Sequence, residues 1–122
     1  NFHWNVKGPF FDILHKTFEA HYEELAGAVD EIAERIRALG HRAPGSYAEF
    51  SKLTAIKEDT GANLNAQDMI RQLLDGHETI VRVAREILSI ATEVDDMPTQ
   101  DLLTGRQIWH EKTAWMLRAH LE

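Results

Sequence analysis

The 122-residue sequence contains no cysteine and no long apolar run. The absence of cysteine excludes a disulfide scaffold, a thiolate zinc site and a cysteine nucleophile, and it fits a reducing compartment. No stretch reaches the roughly 18 to 20 apolar residues that a membrane-spanning helix needs, and no secretory signal pattern is visible. The sequence therefore predicts a cytoplasmic protein with no membrane partner.

Positive charge is also scarce. Thirteen Lys and Arg residues stand against twenty Asp and Glu residues, which gives a formal net charge of −7. A surface of this sign repels phosphate backbones, so DNA binding would need a local basic segment or divalent cations. DNA is therefore a partner that the visible sequence does not support.

The composition is that of one small globular domain. The chain is 43% hydrophobic and 27% charged, which predicts a single domain over residues 1–122. Because a domain of this size buries a limited core, we expect it to oligomerise.

Helical periodicity runs through the chain, and no stretch alternates apolar and polar residues long enough to predict a sheet. Pro9 is typical of the first turn of a helix, and Gly40 is typical of a helix end. One helix of about thirty residues is therefore expected between them. Its apolar seam comprises Phe11, Leu14, Phe18, Tyr22, Leu25, Val29, Ile32, Ile36 and Leu39. The segment "SYAEF" (46–50) predicts a short helix in the connection that follows.

Two further long helices complete the prediction of an all-α fold. One begins after an Asn65 cap and ends at about Val94, and the last runs from about Thr99 to the end of the chain. The segment "NFHWN" (1–5) is typical of the end of a preceding helix. We therefore expect a helix bundle whose first helix is missing from this chain.

Four potential metal ligands share one flank of the first long helix. At ~100° per residue, and with His15 at zero, Glu19 falls at ~40°, Asp30 at ~60° and Glu34 at ~100°, beside the apolar seam near ~300°. Asp30 lies about 22 Å along the axis from His15, so the two pairs cannot hold one ion within a subunit. Two copies packed antiparallel about a two-fold axis would bring the pairs together in two identical sites. His3, at the end of the preceding helix, would add a nitrogen ligand.

Mixed imidazole and carboxylate ligands suit iron, because they bind Fe(II) and leave positions open to peroxide or oxygen. Zinc fits the same ligand types, and from spacing alone a solvated helix flank is the commoner arrangement. Ferritins place a di-iron site inside one bundle with Glu-x-x-His on two helices, and that motif occurs nowhere in this sequence. Its absence favours an inter-subunit site.

Four segments carry a family resemblance: "HWNVKGPFF" (3–11), "LHKTFE" (14–19), "VDEIAERIRALG" (29–40) and "HEKTAWMLRAHLE" (110–122). Together they resemble the Dps family, the ferritin-like DNA-binding proteins from starved cells, and the order His-x11-His-x3-acid-x10-Asp-x3-Glu matches in register. The resemblance implies a ferritin-like four-helix bundle, a hollow homo-dodecamer and a ferroxidase centre between two subunits. His3, His15 and Glu19 would come from one subunit, and Asp30 and Glu34 from its partner.

The resemblance also implies an activity. The protein would oxidise Fe(II), preferentially with hydrogen peroxide, and store ferric mineral, protecting DNA in the cytoplasm or the bacterial nucleoid. Glu19 stands where the family often has Asp, which lengthens that ligand by one methylene. Trp4 would donate electrons near the metal or pack at a helix end. Asp95, Asp96 and Asp101 would line iron-conducting pores, although the helix dipole also favours carboxylates at this position.

Two other classes of protein stay open. A non-catalytic ferritin-like shell that coats DNA would not need all five ligand-type residues, and an isolated zinc-binding helical dimer would have a far lower mass. The other histidines match no ligand pattern, and we expect them at the surface or at its boundary: His21, His41, His77, His110 and His120.

Overall fold

Five α-helices and no strand make up the described part of the chain, residues 1–59 and 64–122 of a computed structural model. The helices are α1 (Phe2–Asn5), α2 (Phe11–Ala38), α3 (Tyr47–Leu53), α4 (Ala66–Glu93) and α5 (Met97–Ala119). The all-α prediction is confirmed. None of the helices in this part of the chain combines the length and apolar character needed to cross a bilayer. The chain forms two compact units, Asn1–Asp59 and Thr60–Glu122, and the prediction of a single domain stays a prediction.

In the first unit, α1 packs against the beginning of α2. Gly8 lies between them with φ of 112°, a left-handed conformation that costs glycine little and lets the chain reverse. Val6, Leu14 and Phe18 are buried at this contact, and the Phe2 ring lies 6.5 Å from the Phe18 ring. The apolar contact therefore fixes the end of α1 against the first turns of α2.

The boundaries of α2 differ slightly from the prediction. The helix begins at Phe11, because the Phe11 amide donates to the Gly8 carbonyl at 3.0 Å and Pro9 lies in the preceding turn. At the other end, α2 stops at Ala38, and Gly40 has a φ of 89°. Glycine at this position allows the left-handed turn that ends the helix, as predicted.

The short helix α3 is held by a capping box. Ser46 Oγ accepts a hydrogen bond from the Glu49 amide at 3.3 Å, and the Glu49 carboxylate accepts one from the Ser46 amide at 3.2 Å. The Arg42 guanidinium also donates to Glu49. Arg42 first, and then the donors of Gly45 and Ser46, lower the pKa of Glu49 to about 2.

In the second unit, a three-residue connection joins α4 to α5, so the two helices lie side by side and antiparallel. Asn65 caps α4 by accepting from the Asp68 amide at 2.9 Å, as predicted. Asp96 caps α5 by accepting from the Thr99 amide at 3.2 Å. Because the cap is Asp96, α5 begins at Met97, two residues before the predicted start.

Two ion pairs cross the α4–α5 contact, seven residues apart on each helix. Arg85 pairs with Glu111 at 3.2 Å, and Arg118 pairs with Glu78 at 2.8 Å. All four side chains are substantially exposed, so each pair contributes well under about 1 kcal/mol. Buried side chains of both helices provide the main stabilisation: Met69, Ile70, Val81, Ala84, Ala91, Leu103, Ala114 and Leu117.

Only part of the predicted apolar seam of α2 is buried in the single chain. Leu14 and Phe18 are buried, whereas Tyr22, Val29 and Ile32 are exposed by 49%, 61% and 39%. Periodicity predicts which residues share a face, but it does not predict what covers that face. The second half of α2 therefore presents apolar side chains to its surroundings.

The expectation of surface or boundary positions is wrong for His77 and His110, which are only 3% and 2% exposed. Their Nδ1 atoms lie 2.8 Å apart, and Nη2 of Arg106 lies 3.1 Å from Nε2 of His110. His77 falls on the helical stripe that also carries Met69, Ile70 and Val81, and this spacing could have predicted its burial.

Candidate metal centre

Two imidazoles meet where α1 packs on α2. Nδ1 of His3 is 2.8 Å from the carbonyl oxygen of His15, and Nδ1 of His15 is 2.8 Å from the carbonyl oxygen of His3. The rings are stacked, with centroids 3.9 Å apart and an interplanar angle of 18°. Each histidine therefore holds the backbone of the other, and the pair joins the two helices.

These contacts determine the tautomer of both rings. A carbonyl oxygen only accepts hydrogen bonds, so Nδ1 of His3 and Nδ1 of His15 each carry the proton and donate it. In the neutral rings, Nε2 then keeps its lone pair. A carbonyl that accepts from the other ring nitrogen is the usual way in which proteins orient a metal-binding histidine. The donor atoms available here therefore fit a divalent metal ion.

Aromatic rings enclose the histidine pair on two sides. The Phe11 ring stacks on His15 with centroids 5.1 Å apart, and the Tyr22 ring meets His3 edge-on at 5.3 Å. Both histidines are half-buried. This arrangement restricts ring motion and leaves part of each imidazole accessible.

Glu19 lies one helical turn after His15 on α2 and is partly buried. Tyr22 lies three residues further on, one helical turn along the same side of α2. Loss of hydration around the phenol raises the pKa of Tyr22, and the neighbouring Glu19 and Glu23 carboxylates raise it further. Tyr22 therefore stays protonated. The sequence interpretation assigned Tyr22 only to the apolar seam, although its i,i+3 spacing makes it a neighbour of Glu19 on the helix surface.

Asp30 and Glu34 lie farther along α2, and both are exposed. They are fifteen and nineteen residues after His15, so the chain does not bring them to the histidine pair. Within residues 1–59 and 64–122, no three His, Asp or Glu side chains form a group able to hold a metal ion. The described chain thus presents two separate sets of potential ligands, one at the contact between α1 and α2 and one farther along α2.

The remaining predicted site residues lie at the ends of helices. Trp4 is next to His3 and is 80% exposed, so it does not pack against the rest of the chain. Asp95 is exposed in the connection with a φ of 56°, and Asp101 is exposed on α5. Asp96 is half-buried, and its carboxylate accepts from both the amide and the hydroxyl of Thr99. One of the three acids therefore has a structural role as a helix cap.

Comparison with known proteins identifies the class. A family model described as a ferritin-like domain matches residues 1–122. DNA protection during starvation protein 2 of Bacillus anthracis is 40% identical over 121 residues, covering 99% of this chain and 82% of that protein. An uncharacterised low temperature-induced protein of Nostoc sp. is 41% identical over 122 residues, covering 99% of this chain and 68% of that protein.

Solved structures agree with the sequence relatives. Dps from Staphylococcus aureus matches with a TM-score of 0.96 at 34% identity, over 100% of this chain and 81% of that one. Dps from Vibrio cholerae O1, described as a member of a broad superfamily of ferritin-like diiron-carboxylate proteins, matches with a TM-score of 0.94 at 36% identity, over 99% and 76%. The chain belongs to the Dps family of ferritin-like proteins. Its fold class is the ferritin-like four-helix bundle with a short helix in the connection, as the sequence predicted.

Proposed function

We propose that this protein is a ferroxidase and iron-storage protein that oxidises Fe(II), preferentially with hydrogen peroxide, and thereby protects DNA. The reciprocal hydrogen bonding of His3 and His15 carries the proposal, because it leaves two oriented Nε2 lone pairs, with Glu19 one helical turn after His15. Nitrogen and carboxylate donors of this kind suit Fe(II) as a substrate. Two relatives, a DNA protection protein and a member of the diiron-carboxylate superfamily, support the same function.

The complete site would lie between two subunits. His3, His15 and Glu19 of one subunit would bind the metal together with Asp30 and Glu34 of its partner, in two equivalent sites about a two-fold axis. The exposed apolar side chains of Val29 and Ile32, on the half of α2 that carries Asp30 and Glu34, support this geometry. An exposed apolar face of this kind is typical of a protein interface.

The chemistry is balanced with two Fe(II) ions for each peroxide. Reduction of one hydrogen peroxide to two waters takes two electrons and two protons, and each Fe(II) supplies one electron as it becomes Fe(III). The O–O bond is then cleaved without release of a hydroxyl radical. The ferric product would hydrolyse and be stored as mineral in the cavity of a homo-dodecamer. We assign the protein to the cytoplasm, with the bacterial nucleoid as the place where DNA protection matters.

Two further roles belong to this proposal. Trp4, exposed beside His3, would supply an electron when an oxidising equivalent is left near the metal. Asp95, Asp96 and Asp101 would attract Fe(II) towards the pores of the shell, since a ring of carboxylates raises the local cation concentration. Of the three, Asp101 is the best placed, because it is exposed and is not a helix cap.

Stopped-flow absorbance tests the proposed activity. Anaerobic protein loaded with Fe(II) is mixed with hydrogen peroxide or with air-saturated buffer at several ratios of iron to subunit. We expect rapid ferric formation with peroxide, with saturation at a fixed small ratio. The double variant His15→Ala/Glu19→Ala should fall to the rate of protein-free buffer, while His41→Ala/Glu58→Ala, which changes two exposed residues of the same types, should keep the wild-type rate.

The opposite results would change the assignment. An unchanged rate in the His15→Ala/Glu19→Ala variant would contradict these ligands. No acceleration by the wild-type protein with either oxidant would favour a non-catalytic shell that coats DNA, and a mass of only two subunits would favour a zinc-binding helical dimer.

A further inference from the structure

A buried network of three hydrogen-bonding side chains joins α4 to α5. Nδ1 of His77 on α4 lies 2.8 Å from Nδ1 of His110 on α5, and Nε2 of His110 lies 3.1 Å from Nη2 of Arg106. The three residues are only 3%, 2% and 8% exposed. Ionisable side chains are costly to bury unless their contacts satisfy them. The proposed ferroxidase function uses none of the three.

The arginine determines where each proton of this network lies. A guanidinium donates and never accepts, so Nε2 of His110 accepts from Arg106 and carries no proton. Neutral His110 then carries its proton on Nδ1 and donates it to Nδ1 of His77. His77 in turn holds its own proton on Nε2. The geometry therefore allows one arrangement of protons, in which both imidazoles are neutral.

A further proton does not fit this arrangement. On His110 it would place an N–H at Nε2, facing the guanidinium, and on His77 it would place an N–H at Nδ1, facing the N–H of His110. Reversing the contact between the histidines does not help, because His110 would then carry its own proton on Nε2, against Arg106. Each case sets two donors against each other in a buried site and breaks a hydrogen bond.

The glutamates that follow the two histidines in the sequence form ion pairs across the same α4–α5 contact. Glu78 pairs with Arg118 at 2.8 Å, and Glu111 pairs with Arg85 at 3.2 Å. The glutamate side chains are 40% and 56% exposed, so water and salt screen their effect on the buried imidazoles.

The Trp109 ring packs against all three members of the network. Its centroid lies 5.5 Å from that of His77 and 4.8 Å from that of His110, and the guanidinium carbon of Arg106 lies 5.1 Å from it. The indole face stabilises the guanidinium charge. Arg106 is therefore a fixed cationic donor, and the two imidazoles are the members of the network whose charge changes near neutral pH.

We propose that His77, His110 and Arg106 form an acid-sensitive network that holds α4 against α5 and opens when the histidine pair takes up a proton. In the opened state both rings are hydrated and bind protons with the ordinary histidine pKa of about 6.5. The free energy that keeps the two helices together is therefore fully present above about pH 6.5 and is lost as the pH falls below that value. This property does not depend on metal binding.

Hydrogen exchange of the assembled full chain, followed by mass spectrometry, measures this opening. The two histidines take up two protons when the network opens in acid. After correction for the chemical exchange rate, the protection of the α4 and α5 amides should fall by up to about 600-fold between pH 7 and pH 5. Equal protection at the two pH values would overturn the inference.

The variant His77→Asn tests the number of protons. The asparagine oxygen can accept the His110 proton in place of Nδ1, so the contact is kept with one titratable ring. The same change of pH should then lower protection by only up to about 25-fold. His41→Asn makes the same substitution at an exposed histidine and should keep the wild-type dependence. A His77→Asn protein as sensitive to acid as the wild type would contradict the network.

Two substitutions of Arg106 separate this hydrogen-bond argument from a general loosening of the contact. Arg106→Gln provides an amide that can turn its oxygen towards a protonated Nε2 of His110, so the closed state tolerates one further proton. Its dependence on pH should fall towards about 25-fold. Arg106→Lys provides only a donor and should keep the full dependence. Equal acid sensitivity of the two variants would overturn the inference.

Solid-state nitrogen-15 NMR of histidine-labelled wild-type protein locates the protons without any substitution. At pH 7 we expect His110 to be protonated at Nδ1 and His77 at Nε2, with the signals assigned through their contacts with Trp109. An imidazolium in the pair, or a proton on Nε2 of His110, would overturn the inference. These measurements involve neither iron nor peroxide, so their outcome is independent of the proposed function.

Discussion

His3 and His15 each donate a hydrogen bond from Nδ1 to the other's backbone carbonyl, at 2.8 Å in both directions. The pair therefore combines two functions. It fastens the end of α1 to α2, and it leaves the Nε2 lone pair of both rings available to the proposed metal ion. The two functions use different ring nitrogens, so substitutions can separate them.

The variant His15→Asn should lose metal binding while the fold stays close to wild-type stability. The asparagine amide nitrogen lies near the position of Nδ1 and can still donate to the His3 carbonyl, but nothing replaces Nε2. His15→Ala loses both groups and leaves a part-buried carbonyl without its donor, which costs about 1–3 kcal/mol of unfolding free energy. Thermal unfolding together with Co²⁺ titration checks the difference. Equal loss of stability in both variants would show that the Nδ1 contact does not support the fold.

Substitutions of the acidic residues around the start of α5 should distinguish the helix cap from the pore candidates. Asp96→Ala removes the acceptor for the Thr99 amide and should lower the unfolding free energy by about 1 kcal/mol. Asp101→Asn should leave stability unchanged, because Asp101 is exposed, but should slow iron uptake into the assembled shell. Asp95→Asn is the matched variant, since asparagine tolerates the positive φ of that residue. Uptake at the wild-type rate in Asp101→Asn would remove that residue from the pore.

The ionisation of Glu49 should be shifted far from that of an ordinary glutamate. Its pKa is lowered from 4.5 to about 2, first by the Arg42 hydrogen bond and then by the donors of Gly45 and Ser46. A lowered folded-state pKa means that the contribution to stability is fully present above about pH 4.5 and is lost as the pH falls towards 2. Carbon-13 NMR titration of the Glu49 carboxyl should give a midpoint near 2, and in Arg42→Ala the midpoint should rise towards 4.5. An unmoved midpoint in Arg42→Ala would rule out the guanidinium as the main cause.

Much of the secondary structure could be predicted from local signals. The Asn65 cap and the glycine at position 40 correctly placed one end each of α4 and α2, because caps and left-handed turns depend on a few neighbouring residues. The start of α5 lies two residues before the predicted one, since Asp96 caps the helix and Pro98 fits its first turn. Such differences concern only which local hydrogen bond forms.

The contacts between helices were harder to predict from the sequence. Spacing placed His15 and Glu19 on one flank, but the reciprocal bond to His3 depends on how α1 packs against α2, which a helical period does not contain. The burial of His77 and His110 was missed for the same reason, because a polar residue on an apolar stripe needs a partner on another helix. Likewise, periodicity included Val29 in the seam without predicting that it is 61% exposed in the single chain.

The central claim is that each metal site uses ligands from two subunits, and mixed assemblies test it most directly. One variant, His15→Ala/Glu19→Ala, removes two of the ligands that a subunit gives to its own site. Another variant, Asp30→Asn/Glu34→Gln, removes the ligands that a subunit gives to its partner's site. Each should be inactive alone. When the two are co-expressed, random pairing makes half of the two-fold dimers mixed, and each mixed dimer keeps one intact site of two, so about a quarter of the wild-type activity should return. Activity that stays at the level of protein-free buffer in the mixed assemblies would contradict the inter-subunit site.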